Sequence, residues 1–102
     1  MIKDLVLEET AINDTMYELR KQIVTKEMEK DNFECDLWIN TDFGKLGLTN
    51  ADQRKAYVKK ELSLLNNQIA ELKNELNYAE HHLKAVRMKE RICLEMGIDV
   101  LE

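Results

Sequence analysis

The chain has no proline, three glycines, two cysteines and only 6% aromatic residues in 102 positions. Each shortage excludes something. Proline breaks helix interiors because it lacks an N–H and clashes with the preceding turn, so its absence leaves long uninterrupted helices open. Three glycines, two of them at Gly44 and Gly47, form neither a phosphate-cradling loop nor a dinucleotide fingerprint. Cys35 and Cys93 are too few for a disulfide framework and too far apart for a paired zinc motif, so they read as reduced thiols. The opening MIKDLVLEET reads as no secretory leader, and no apolar run is long enough to span a bilayer. The expectation is a cytoplasmic protein with no membrane partner.

Charge is what the chain does have. Charged residues make up 34% and the formal net charge is -5, an unfavourable balance for wrapping nucleic acid. Residues 1–48 hold six Lys/Arg against eleven Asp/Glu, whereas residues 49–102 hold nine of each. An acidic first half beside a balanced second half fits docking of one half on the other, or an acidic patch offered to a basic partner.

Hydrophobic spacing gives the architecture. Ile2, Leu5, Ile12, Met16, Leu19 and Ile23 fall on three- and four-residue steps, with Glu9 interrupting, and this is the seam of a helix over residues 2–30. Residues 31–48 differ: Phe33, Cys35, Leu37 and Ile39 alternate with mostly polar residues, which predicts an extended or irregular connector. Thr49, with Asp52 three positions on, is a helix-start signal just after Gly44 and Gly47. From there Val58, Leu62, Leu65, Ile69, Leu72, Leu76, Ala79, Leu83 and Val86 run as one seam in a helix over 49–96. At about 1.5 Å per residue that helix is roughly 70 Å long. Beyond Val86 the apolar set moves to Met88, Ile92 and Met96, as in a coiled-coil stutter, and Gly97 supplies a C-terminal cap. The tail 97–102 stays apolar enough to pack or to bind a partner.

A helix with one apolar stripe needs a partner in water. The fold predicted is therefore all-α: a single-domain, antiparallel helical hairpin of coiled-coil type. Ile2 then lies near Ile92 and Ile23 near Ile69. Residues 50–62 overhang the first helix and take their cover from Phe33, Leu37, Trp38, Ile39, Phe43, Leu46 and Leu48, folded as a cap. Two helices bury little, so a homodimer in a four-helix arrangement is expected.

Candidate chemistry is sparse. His81 and His82 point about 100° apart on a helix and cannot share an ion as an i, i+4 pair does, so solvated histidines are the simpler reading. No carboxylate pair sits in an apolar setting suited to acid–base work, and no serine stands in a nucleophile elbow. No metal, cofactor or reaction is assigned. Lys55 and Lys59, with Lys84, Arg87 and Arg91, form helical stripes able to contact phosphates, but Glu61, Glu80 and Glu90 dilute them. Trp38 and Tyr57 suit a protein interface as well as a cap core.

The stretch LWINTDFGKLGLTNADQRKAYV, residues 37–58, resembles a motif of small phage and prophage proteins of low-GC Gram-positive bacteria. The pattern T-D-F-x-x-L-G-x-T-N-x-x-x-R-x-A-Y is met by Thr41, Asp42, Phe43, Leu46, Gly47, Thr49, Asn50, Arg54, Ala56 and Tyr57. The resemblance implies a small phage protein in the host cytoplasm that acts through protein contacts, such as an inhibitor of a host nuclease or defence system, or a replication or recombination accessory. The partner surface expected is Trp38, Asp42, Asn50, Arg54 and Tyr57. A purely structural oligomerisation module and a nucleic-acid accessory are the alternatives.

Overall fold

The computed structural model describes residues 1–97, so the tail expected to pack or bind falls, beyond Gly97, outside the described residues. It contains α1 (Ile2–Asn40), α2 (Ala51–Glu61) and α3 (Ser63–Met96), and no strand occurs among the described residues. The all-α expectation holds. Two compact units share these helices: one joins Met1–Gln22 to the chain from Leu72 onward, and the other is Ile23–Glu71.

In the first of these, the terminal unit, α1 and α3 run antiparallel, consistent with a helical hairpin. Met1 meets Cys93, Glu9 meets Arg87, and Arg20 approaches Glu80. The seam residues Leu5, Ile12 and Met16 of α1 close on Ala79, Leu83, Val86 and Cys93 of α3. Full burial of a Leu, Ile or Val side chain contributes about 1.5–3 kcal/mol, so this repeating seam is the unit's principal source of stability. One expectation fails here. The register does not move after Val86: the seam continues through half-buried Glu90 to buried Cys93, while Met88, Ile92 and Met96 face away from it, exposed. Gly97 caps α3 as predicted, with a positive φ of 67° and its N–H on the Leu94 carbonyl.

The second, the elbow unit, departs further from expectation. Residues 31–40 are not an extended connector but the last turns of α1. Phe33 and Leu37 are four apart, a spacing common to alternation and to a helix, and no glycine or proline stops α1 before Gly44. Leu37 therefore continues the helical seam and packs on Val58 and Leu62, with Phe43 and Tyr57 against them. The overhang is covered by α1 itself. Of the expected cap, Ile39, Trp38, Phe33 and Leu46 are exposed, and Leu48 is half-buried. Ile23 and Ile69 are both buried in this unit.

The long second helix is interrupted once. Leu62 sits between α2 and α3 at φ -84°, ψ -5°. Its N–H still donates to the Val58 carbonyl (3.0 Å), and its own carbonyl accepts from Asn66 N–H (2.9 Å), so the hydrogen-bond ladder crosses the break.

Candidate functional site

The elbow is a sequence of local locks. The Asp42 carboxylate accepts from the Lys45 N–H at 3.1 Å, and the Leu48 N–H donates to the Phe43 carbonyl at 2.9 Å. Gly47 turns the chain at φ +73°, a conformation that side chains resist. Asn50 then takes an extended backbone, and its side-chain oxygen accepts from the Gln53 N–H at 2.8 Å. Gln53 reaches back to the Thr49 N–H, also at 2.8 Å. The helix is thus capped by the Asn50 side chain, with Gln53 reaching one residue further back to Thr49, and not by Thr49 and Asp52. Asparagine caps as well as threonine, and the glutamine three positions later satisfies the N–H of the residue before the cap.

Phe43 is the hub above this cap. Trp38 lies 5.6 Å from it, ring centre to ring centre, and Tyr57 meets it edge-on at 6.2 Å. The Arg54 guanidinium stands over its face at 5.4 Å while Nε donates to the Leu48 carbonyl at 3.1 Å. Of the five expected partner-binding residues, Asp42, Asn50, Arg54 and Tyr57 thus each have an internal task. Trp38 alone combines a ring contact with substantial exposure, 40%.

Beside Trp38 the outer face of α1 carries a row of apolar side chains, interrupted by exposed Asp31. Ile39 is 78% exposed, Met28 61%, and Val24 and Cys35 are exposed as well. Their four-, seven- and four-residue spacing keeps them on one face of the helix, away from buried Ile23 and Leu37. Asp31 and Glu34 join Cys35, Trp38 and Ile39 around a shallow depression of about 380 Å³.

The basic candidates divide between the units. Lys55 and Lys59 of α2 line a groove with Lys30 and Trp38 of α1. Lys84, Arg87 and Arg91 lie on α3 in the terminal unit, where Arg87 donates to Glu9 at 3.0 Å and Lys84 and Arg91 are exposed. Lys30 escaped the sequence reading because its place in the chain is far from α2; only the fold brings it there.

In the terminal unit, Ala11, Ile12, Leu19 and Ala79 floor an apolar groove of about 650 Å³ between α1 and α3. His82 Nε2 lies 2.9 Å from Glu8 at its edge, which gives this histidine a carboxylate neighbour, while His81 is exposed. No group of three His, Cys, Asp or Glu residues among the described residues is placed to hold a metal. The carboxylates of Glu9 and Glu90 meet at the seam. Arg87's hydrogen bond is the main cause holding Glu9 below the ordinary carboxylate range, whereas burial, then the Glu9 carboxylate, pushes Glu90 up. Among the described residues no helix is long and apolar enough to cross a membrane. No family model, no curated protein and no solved structure matches this chain.

Proposed function

We propose that this is a non-enzymatic interaction protein that binds another protein through a helix face, in keeping with the phage-type motif in residues 37–58. The observation that carries the reading is the apolar row Val24, Met28, Cys35 and Ile39 on the outer face of α1, flanked by Trp38. Rows of large apolar side chains at helical spacing are what a helix presents to a partner's groove. Asp42, Asn50, Arg54 and Tyr57 shape the turn that follows that face. An inhibitor of a host nuclease or defence factor, or a replication or recombination accessory, fits such a surface.

Affinity capture from host lysate tests the reading. A partner retained by the parent chain is expected to be lost with Met28→Glu/Ile39→Glu, at unchanged helical circular dichroism. Retention of the same partner by that variant sinks the proposal.

Homodimerisation into a four-helix arrangement belongs to the same reading. It is supported by exposed Met88, Ile92 and Met96, one turn apart on α3. Light scattering should return twice the 12.0 kDa chain mass, falling to one with Ile92→Glu.

A further inference from the structure

We infer that the groove between α1 and α2 in the elbow unit is a binding site for a short length of single-stranded nucleic acid, with lysines on its phosphates and Trp38 under a base. The site goes beyond the protein-binding face described above.

Three features converge on it. Lys30 comes from α1 while Lys55 and Lys59 come from α2, one helical turn apart, so cations stand on both walls of the groove. The adjoining depression extends the track, sharing Lys59 and Asn66 and adding Lys60. Glu34 is the one carboxylate lining either, so the track carries four positive charges against one negative in a chain of net charge -5. Among the described residues none of these four lysines is held in an ion pair. Cations concentrated against the overall charge and left without carboxylate partners are complementary to an anion from outside.

The floor and wall choose the kind of anion. Val58 and Leu62 form an apolar floor, and Trp38 offers its partly exposed indole on the wall. A cationic track beside an aromatic platform is how single strands are held, since every base has a face to stack and every phosphate a charge to neutralise. A duplex keeps its bases stacked and leaves the indole unused. An acidic helix brings carboxylates for the lysines but no flat group for the ring. The side-chain amide of Asn66 stands within the track to meet a base edge.

The sole tryptophan makes the test direct. A fluorescein-labelled 12-mer oligo(dT) is titrated with the full chain in 50 mM salt, by anisotropy and by Trp38 emission. Saturable binding with quenched Trp38 emission is expected, with a log–log salt slope of about -2 if three phosphates are neutralised. Lys55→Glu/Lys59→Glu should weaken binding roughly tenfold or more, Lys55→Gln/Lys59→Gln less, and Lys84→Glu/Arg91→Glu hardly at all. The milder glutamine pair keeps the test valid if charge reversal unfolds the unit. Absence of binding, or equal binding by the lysine variants, overturns the site. So does equal affinity for a 12-mer duplex, and so does displacement by poly-glutamate with Trp38 emission unmoved, which identifies an acidic protein ligand instead. Absence of oligo(dT) binding by the parent chain, with lysate capture intact, removes this site and leaves the protein-binding reading standing.

Discussion

In the terminal unit Glu8 meets His82 and Glu9 meets Arg87, residues 74 and 78 positions apart in the chain. In the elbow unit Phe43 meets Trp38, Arg54 and Tyr57, all drawn from the end of α1, the turn and the first turns of α2. The first arrangement is a repeating seam that must close a long loop before any contact forms. The second is a cluster of unlike interactions (cap, ring stack, cation over ring) within a short stretch. Closing a loop costs entropy that grows with its length, so the elbow can organise before the arms meet. Repetition and locality are two ways to specify a helical protein; the terminal unit rests on the first, and the elbow unit adds the second to its share of the seam.

The largest effects come from the seam. Val86 is completely buried. Val86→Asp places a charge where no water reaches and is expected to abolish the cooperative unfolding transition seen by circular dichroism. Leu83→Ala, also in the seam, should cost about 3 kcal/mol. Phe43→Ala in the elbow should cost less, about 2 kcal/mol, because the ring is only half-buried. The comparison sharpens in the kinetics. Stopped-flow refolding should slow with Phe43→Ala, whereas Leu83→Ala should chiefly speed unfolding. The reverse assignment would mean that the arms, not the elbow, form first.

Repetition is also what made the seam legible. Leu5, Ile12, Met16, Leu19 and Ile23, and then Val58, Leu62, Ile69, Ala79, Leu83 and Val86, are buried as their spacing requires. Spacing misled where a seam position carries charge. Glu90 hides the step from Val86 to Cys93, so Met88, Ile92 and Met96 looked like the continuation, although they form a second, outward stripe. In 31–40 a four-residue spacing served two periods equally, and the helical one won because nothing broke α1. The candidate site was less readable than the fold. Asn50, Arg54 and Tyr57 stood out in the sequence, but their partners (Gln53, Leu48 and Phe43) follow from turn geometry that no periodicity encodes. Lys30 joined Lys55 and Lys59 only through tertiary folding.

The locks of the elbow should be individually modest. Arg54→Ala removes a half-buried hydrogen bond and the cation over Phe43, about 1.5 kcal/mol together. Asn50→Ala should cost about 1 kcal/mol through the lost cap, and Thr49→Ala less than half of that, because only its N–H enters the short bond to Gln53. Urea unfolding separates the two capping assignments. If Thr49→Ala proves the costlier change, Thr49 and not Asn50 is the cap.

The smallest effect lies where the seam breaks its own rule. Glu9 and Glu90 face each other at positions that elsewhere hold apolar residues, with Arg87 beside Glu9. Glu9's lowered value means that its contribution is present above the ordinary 4.5 and is lost as pH falls through the lowered one. Glu90 behaves oppositely. Its value is raised, so the folded state gains below 4.5 and loses as pH rises through the raised value, when a second carboxylate must charge beside the first. Its Oε1 is buried without a hydrogen-bond partner, so the charged form finds little compensation there. Glu90→Gln keeps the shape and removes that charge. Its unfolding midpoint should exceed the parent's by a few degrees at pH 7, and the gap should close as pH falls below 4.5. A gap independent of pH would mean that packing, not charge, sets the difference. Glu9→Gln should move the midpoint the other way at pH 7, because it forfeits the Arg87 bond, and by less than that bond alone contributes, because it also relieves Glu90.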